Sequence, residues 1–471
     1  LDDVFMVFDK MLEQDLVSWN AFLAMISRHD KAQESLSSFQ KMLSEGILPD
    51  KISYVTLCDA CGSRALLREG IRIHALIVSS KLEMDIQLKN SLINMYGKCG
   101  NLKLSKRIFE DTIEQDEFTW NAIIASYAQA GEGLNAIHFF HQMQEKGHIP
   151  ERFTYVNLLS GFTGSQYSMQ GKRIHASLVG SHLEADVIII NILINMYGKC
   201  NKPEDAQMLF DETLKLDIVT WNGMLASYSH RENELEALQL LRQMLLMGIA
   251  PDRVTFVSLL SICANQTFLI EGKQMHARIL ANGSWWDINL GNALISMYAK
   301  CGSVKDALVV FENMHNHDIV SWNAIITAYA FWGLVQEALK LYNRLKRDLM
   351  PNKVTYLVIL SACSHAGLLE EGFCYFSVMT EHHEIKPTEE HYNCVIDLLG
   401  RLGLLDEAES VINLSPSLYS ALAWTTLLGF CRIHCDEARG EHAAVNALHL
   451  EPENSSLYIL LSNIYASSTI E

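Results

Sequence analysis

The sequence predicts an all-α protein: a right-handed α-solenoid superhelix of helix-turn-helix repeats, each 31–36 residues long. The first observation is a constant step of 101 residues between Trp19, Trp120, Trp221 and Trp322, which the asparagine after each tryptophan also keeps. The second is that each 101-residue period divides into three similar segments of 35, 35 and 31 residues, each of which resembles a pair of helices.

The segment over residues 117–151 illustrates the helix pair. Apolar side chains recur at i, i+3, i+4 and i+7 from Trp120 to Tyr127, the spacing of one face of a helix, and LNAIHFFHQMQEK forms a second amphipathic stretch. Gly147 suits the position after a helix end, and Pro150 prevents the helix from continuing. Helices this short bury their apolar faces only by stacking on neighbouring pairs, which favours a solenoid.

Composition and charge limit the class of function. A hydrophobic fraction of 49% excludes a disordered chain, and because no stretch of 18 apolar residues occurs, we expect no membrane-spanning helix and no membrane partner. The 37 basic and 55 acidic residues give a net charge of −18, which argues against a general polyanion binder, although the field inside a groove is local. The 11 cysteines fit free thiols in a reducing compartment.

The motifs that could carry chemistry are weak. Cys58 and Cys61 form a lone C-x-x-C without a second pair at zinc spacing, and the histidines that recur from His74 lie too far apart along a solenoid for one metal site. His382–Glu384 matches half of a zinc-deaminase signature, but the other half, P-C-x-x-C, does not follow. We therefore expect no catalytic residue, no metal and no cofactor, and predict that the chain is not an enzyme.

Three types of segment alternate along the chain. Examples of the three are IVSWNAIITAYA, EGKQMHARIL and NALISMYAKCGSVKDALVVF. These segments resemble the P, L and S motifs of the PLS subfamily of plant pentatricopeptide repeat (PPR) proteins. Near the end, ALAWTTLLGFCRIH…LHLEPEN resembles the first E motif of that subfamily, and SSLYILLSNIYASS resembles the start of the second.

The resemblance covers essentially the whole chain and implies the following domain boundaries. Residues 1–15 form a partial S motif, residues 16–318 three P–L–S triplets, residues 319–352 a P motif, residues 353–420 the final L and S motifs, residues 421–454 the first E motif, and residues 455–471 a truncated second E motif. Because the chain begins at Leu1 within what resembles a second helix, we expect further sequence before it, including any targeting peptide.

The resemblance also implies a set of RNA-reading residues. In this family the fifth and last residues of a motif select one base, as a donor–acceptor side chain and the partner that orients it. The implied pairs are Asn20/Asp50, Asn90/Asp116, Asn191/Asp217, Asn222/Asp252 and Asn292/Asp318, which favour U, and Asn323/Asn352, which favours C. Asn121 is paired with Glu151 and departs from this pattern. An asparagine near a helix start can alternatively be a simple N-cap.

Two further positions complete the implied site. The resemblance implies that the second residue of each P and L motif sandwiches the bases, and in the P motifs these residues are Val17, Phe118, Val219 and Val320. The fifth residue of the L motifs is valine, as at Val55, and valine has no hydrogen-bonding group with which to read a base. The ends of the first S-motif helices carry a recurring lysine, Lys98 in the first triplet, which could meet phosphates.

The function that the resemblance implies is sequence-selective binding of single-stranded RNA in a mitochondrion or chloroplast. The E-type motifs suggest a specificity factor for C-to-U editing, with a DYW-type deaminase or an editing accessory protein as a further partner supplied in trans or encoded outside these residues. Two alternatives stay open: RNA binding for stabilisation, splicing or translation, and a protein-binding scaffold like tetratricopeptide arrays. The acidic net charge favours the scaffold, and the regular Asn…Asp pairing favours RNA.

Overall fold

The computed structural model describes residues 6–468, apart from residues 9, 12–13, 30, 64, 81, 83, 214–215, 230–233, 266, 282–286 and 415–419. All regular secondary structure in the described residues is helical, so the predicted all-α class is confirmed. The chain divides into two compact units, Leu1–Ile249 and Ala250–Glu471.

The first unit contains seven consecutive helix pairs in its described residues. Their bounds are α1 Leu16–Arg28, α2 Ala32–Ser44, α3 Lys51–Ser63, α4 Leu67–Ser79, α5 Ile86–Lys98, α6 Leu102–Glu110, α7 Glu117–Gln129, α8 Gly133–Glu145, α9 Arg152–Ser160, α10 Ser168–Leu178, α11 Val187–Lys199, α12 Pro203–Glu212, α13 Ile218–Tyr228 and α14 Glu234–Leu246. A single 3₁₀ turn, Ser165–Tyr167, precedes α10.

The second unit continues the same alternation. Its helices are α15 Arg253–Asn265, α16 Leu269–Ala281, α17 Ile288–Lys300, α18 Val304–Asn313, α19 Ile319–Phe331, α20 Val335–Asp348, α21 Lys353–Ala366, α22 Leu369–Ser377, α23 Glu389–Arg401, α24 Leu405–Leu414, α25 Ala421–Ile433, α26 Glu437–Leu450 and α27 Ser455–Ser468. A π-helical turn, Val378–His382, extends α22. Odd-numbered helices are therefore the first helix of each pair, and even-numbered helices are the second.

Within each unit, the first helices form the more closely packed layer. Each first helix lies against its own second helix and against the first helix of the next pair, as α5 does against α6 and α7. Successive second helices make no comparably close backbone approach within the described ranges. The face of the first helices is therefore a continuous surface in each unit, while the predicted right-handed superhelical path of the whole chain stays a prediction.

Helix starts and ends follow the residues that the sequence places there. An aspartate precedes many first helices and accepts the backbone N–H three residues on, as Asp116 does from Thr119 at 2.8 Å. The helices α2, α8 and α14 are each followed by a glycine with a left-handed backbone, such as Gly147 at φ 85°. Pro150 then separates this glycine from the next helix. These signals fix where each pair begins and where the chain turns.

The recurring tryptophans join one helix pair to the next. Trp120 is 1% exposed, and its ring meets Phe109 of the preceding pair edge-on, with centroids 4.8 Å apart. Trp221 contacts Phe210, and Trp322 contacts Phe311, at the same distance. Edge-to-face pairs of this kind add to the stabilisation that apolar burial provides. The tryptophans thus belong to the core, as their helical spacing predicts.

The recurring histidines are also structural. The Nδ1 atom of His74 lies 2.8 Å from the hydroxyl of Tyr96, and His175–Tyr197 and His276–Tyr298 repeat this contact at 2.8 and 2.9 Å. Burial lowers the pKa of all three histidines, which favours the neutral ring. The pairs tie α4, α10 and α16 to the first helix that follows each of them.

Candidate nucleic-acid interface

The candidate site begins with the last residue of each motif, which the structure places at the N-terminus of the next first helix. Asp50 accepts from the backbone N–H of Ser53 at 3.0 Å, and Asp217 accepts from that of Thr220 at 2.8 Å. The capping residue is therefore the aspartate, and the alternative in which the fifth-position asparagines are the N-caps is wrong. These asparagines lie one turn inside the helix, at its fifth residue.

The same capping residues contact the asparagine of the preceding motif. In each contact the Nδ2 atom of the fifth residue donates to the Oδ1 atom of the last residue. The donor–acceptor distances are 2.9 Å for Asn20–Asp50, 3.3 Å for Asn90–Asp116, 3.3 Å for Asn191–Asp217, 3.4 Å for Asn292–Asp318 and 3.2 Å for Asn323–Asn352. One side chain thus caps a helix and orients the amide beside it.

One predicted pair differs from this pattern. No hydrogen bond links Asn121 to Glu151 in the described residues, and the Oδ1 atom of Asn121 is buried without a partner. Asn222 occupies the fifth residue of α13 in the first unit, and Asp252 caps α15 in the second, where it accepts from the backbone of Thr255 at 2.9 Å. Asn222 is 8% exposed, close to the values of Asn20 and Asn323.

Three aspartates of these pairs, Asp50, Asp217 and Asp318, are charged at neutral pH. Partial burial raises the pKa of Asp50, but hydrogen bonds from the backbone of Ser53 and the amide of Asn20 outweigh it, so that the pKa lies below its usual range. The same balance lowers the pKa of Asp217 and of Asp318, where Asn191 and Asn292 supply the amide. An ionised carboxylate only accepts hydrogen bonds, so it directs the amide nitrogen, rather than the oxygen, of the asparagine toward itself.

Apolar side chains line the same face. Residues two and five of a helix are neighbours on its surface, so the second residue of each motif lies beside the asparagine. In the P motifs these second residues project into solvent with exposed fractions of 54–74%, and they are Val17, Phe118, Val219 and Val320. An exposed apolar residue can pack on the face of a flat ring, while the donor–acceptor pair beside it forms hydrogen bonds with the polar edge of that ring.

The L motifs carry a different contact, which the sequence did not reveal. Their last residues, also aspartates, pair with the basic first residue of the same motif: Lys51 with Asp85, and Arg152 with Asp186 at 2.6 Å. Burial raises the pKa of Asp85, but the hydrogen bond and charge of Lys51 help to hold it below its usual value. Val55 stands where other repeats have an asparagine, so no amide is present to read a base, and the carboxylate of Asp85 is already paired with Lys51. Such a repeat is suited to separating two bases that are read rather than to reading one itself.

One residue of the same kind was missed by sequence reasoning. Asn393 is the fifth residue of α23 and lies 101 residues after Asn292, so the repeat step alone could have identified it. Both side-chain polar atoms of Asn393 are buried without a partner in the described part of the chain. The residue that precedes the next first helix is Ser420 rather than an acid or amide, which is why the pair escaped the pattern.

The weak chemical motifs form no site in the described residues. Both Cys58 and Cys61 are fully buried, and burial raises the pKa of the Cys61 thiol to about 12. His383 lies 2.7 Å from the hydroxyl of Tyr356, a core tyrosine. No cluster of three metal-ligating side chains, and no helix long and apolar enough to cross a bilayer, occurs among the residues that the structure describes.

Family models match along most of the chain. The PPR repeat family model matches residues 115–164, 216–265 and 317–365. The PPR repeat model matches residues 17–47, 89–116, 188–218, 292–319, 354–383 and 390–415.

Curated relatives from Arabidopsis thaliana align over almost the full chain. A putative pentatricopeptide repeat-containing protein is 33% identical over 98% of this chain and 68% of its own length. A mitochondrial and a chloroplastic protein of the same description are 33% and 34% identical, each over 99% of this chain and over 54% and 55% of their own lengths. Across the relatives compared, the chain spans from 53% to 73% of the other protein.

Solved structures share the fold. The pentatricopeptide repeat protein PPR10 from maize superposes with a TM-score of 0.57 at 19% identity, over 97% of this chain and 72% of the other. PPR10 in complex with an 18-nt psaJ RNA element gives 0.52 at 18% identity, over 96% of this chain and 82% of the other. At this identity the likeness concerns the fold alone.

Proposed function

Since the chain belongs to the pentatricopeptide repeat family, we propose that it binds single-stranded RNA sequence-selectively, one base per motif. The observation that carries the proposal is the repeated contact between a fifth-position asparagine and the capping residue of the next helix, beside an exposed apolar side chain. An oriented amide can satisfy the edge of a base while the apolar residue packs on its face. PPR10, which shares this fold, has been solved in complex with an RNA element, and this supports RNA as the ligand.

The motifs read in order specify a pyrimidine pattern. Written 5′ to 3′ it is Y-n-Y-Y-n-Y-Y-n-Y-Y, in which the n positions face the valines of the L motifs. The first base faces Asn20, the fourth faces Asn121, and the tenth faces Asn323 and is best as C. The missing contact between Asn121 and Glu151 makes the fourth position the least selective of the seven Y positions.

We assign the biological role to a plant organelle, because relatives are named as mitochondrial and chloroplastic proteins. The family assignment also agrees with a binding module rather than an enzyme. The alternating motif lengths and the E-type segment over residues 421–471 favour a specificity factor for C-to-U editing, with the deaminase supplied in trans. RNA stabilisation or splicing uses the same surface and is the second candidate.

A protein-binding scaffold is the competing class, and the net charge of −18 favours it. The aspartates of the site add to this charge, so affinity for RNA must come from the base contacts and from lysines such as Lys98, exposed at the end of α5. Binding a protein, however, does not require a recurring asparagine whose amide is oriented by the capping residue of the next helix. The recurrence of this contact from repeat to repeat favours RNA binding over the protein-binding scaffold.

Selection from a random RNA pool tests the proposal without assuming a target. The purified chain is incubated with random RNA at about 150 mM salt, and bound molecules are sequenced. We expect enrichment of pyrimidines at the first, third, sixth, seventh, ninth and tenth positions of a ten-base register, with neutral positions between them. A pool with no position-dependent enrichment would favour the scaffold.

A further inference from the structure

The asparagines of the site are held in two different ways. Asn20, in a P motif, is fixed at both amide atoms: its Nδ2 donates to Asp50 Oδ1 at 2.9 Å, and its Oδ1 accepts from Ser53 Oγ at 2.6 Å. Asn323 repeats this arrangement, with its Oδ1 accepting from Thr355 Oγ1 at 2.7 Å. Ser53 and Thr355 are each the third residue of an L motif and are fully buried.

The asparagines of the S motifs are held at one atom only. In Asn90, Asn191 and Asn292 the Nδ2 atom lies 3.3–3.4 Å from the partner carboxylate, and the Oδ1 atom is buried without a partner in the described residues. The third residue of the next motif is again a hydroxyl, but it does not reach the asparagine. Thr119 Oγ1 donates to Asp116 Oδ1 at 2.8 Å.

A hydroxyl has a single proton and donates it to one acceptor at a time, so the nearer acceptor receives it. Ser53 Oγ accepts from the backbone N–H of Asp50 at 3.2 Å, so its own proton is free to be donated. Of the two acceptors in range, Asn20 Oδ1 at 2.6 Å is closer than Asp50 Oδ1 at 3.0 Å. The hydroxyl therefore orients the amide oxygen while the aspartate orients the amide nitrogen.

On the basis of the RNA-binding function proposed above, we propose that the third residue of the L motif, Ser53 or Thr355, is a positioning residue for base selection by the preceding P motif. Held at both atoms, the amide offers a base one remaining N–H and one remaining lone pair in a fixed order. An amide held only at its nitrogen swings more freely about its Cβ–Cγ bond and holds this order less strictly. The first and tenth bases are therefore selected more strictly than the third, sixth and ninth.

The test measures base preference rather than total affinity. For Ser53→Ala, the dissociation constants for RNAs with uridine or adenosine at the first base are compared with those of the unchanged protein. We expect the preference for uridine to fall roughly fivefold, the effect of one hydrogen bond, with the preference at the third base unchanged. Ser53→Thr should keep the preference within about twofold, because a threonine hydroxyl makes this contact at Thr355.

A matched control separates positioning from helix capping. Thr119→Ala removes a third-residue hydroxyl that bonds the aspartate but not the asparagine, so preference at the third base should change by less than about twofold. Thr355→Ala, measured with cytidine and adenosine at the tenth base, is an independent second case in the other unit. Thermal melting by circular dichroism verifies that each variant is folded.

The outcomes distinguish this inference from the function on which it rests. If the unchanged protein shows no base preference at any position, the RNA-reading function itself fails. If the unchanged protein prefers a pyrimidine at the first and tenth bases and both alanine variants keep that preference, the positioning role is overturned while RNA reading stands. An equal loss of preference in Thr119→Ala at the third base would also overturn it, since capping alone would then explain the effect.

Discussion

Replacing Glu151 with aspartate should create the contact that the fourth position lacks. Asn121 stands at the helix position that Asn20 occupies 101 residues earlier, yet its Oδ1 is buried without a partner and its amide makes no hydrogen bond with Glu151 in the described residues. Glutamate is longer than aspartate by one methylene, which moves its carboxylate away from the place that the other capping residues occupy. Glu151→Asp restores the length that gives contacts of 2.9–3.4 Å elsewhere.

The size of the effect follows from the bond that is gained. An amide donating to an accessible carboxylate contributes about 1 kcal/mol net, which corresponds to roughly a fivefold change in binding. We therefore expect the preference for uridine over adenosine at the fourth base to rise about fivefold. The melting temperature should not fall, since aspartate is also a favoured N-cap for α9.

Fluorescence anisotropy with two RNAs that differ only at the fourth base measures this change. The matched control is the double variant Asn121→Ala/Glu151→Asp, in which the new carboxylate has no amide to orient and the gain should vanish. If Glu151→Asp left the preference unchanged, or if the double variant showed the same gain, the role assigned to the capping residue would be refuted.

Three further predictions concern other capping and reading residues. Asp50→Asn should keep the N-cap, because Asn352 caps its helix in the same way by accepting from the backbone of Thr355 at 3.0 Å, and should move the preference at the first base from U to C. If the ratio of the affinities for the U and C RNAs is the same in the variant as in the unchanged protein, this prediction is contradicted. Asn222→Thr should move the preference at the seventh base toward G, measured with the four single-base RNAs, and an unchanged order of the four would count against the base-per-motif code. Asp217 and Asp318 have pKa values below those of an unfolded chain, so the stability they provide is complete above about pH 4 and is lost as the pH falls through their folded pKa values. Melting measured between pH 7 and pH 3 should therefore show a smaller acid loss for the Asp217→Asn/Asp318→Asn variant, and an equal loss would contradict the assignment.

Helix positions could be predicted closely from the sequence because each signal is local. The i, i+3, i+4 pattern around Trp120, a glycine such as Gly147 and the proline after it mark a pair without reference to the rest of the chain. The repeat step then transfers this assignment from one period to the next. The all-α class and the helix pairs follow from these signals.

The contacts of the candidate site could be predicted only in part. Lys51 and Asp85 are 34 residues apart and meet only because successive first helices stack side by side. Whether the hydroxyl of Ser53 reaches Asn20, while that of Thr119 stays with Asp116, depends on which acceptor lies within reach of the hydroxyl once the two helices have packed. Residue types and spacing do not encode such differences. Asn393 could have been predicted from the 101-residue step, but it was missed because the residue at its partner position, Ser420, is neither an acid nor an amide.

The most direct measurement of the central claim compares two ten-base RNAs. One carries pyrimidines at every position that faces a reading asparagine, with cytidine at the tenth, and the other carries adenosine at those seven positions, with identical bases at the three neutral positions. At about 150 mM salt, we expect the pyrimidine RNA to bind at least tenfold more tightly, since each mismatch leaves a buried polar group unpaired at a cost of about 1–3 kcal/mol. Equal affinity for the two RNAs would contradict base reading by this surface and would favour the protein-binding scaffold.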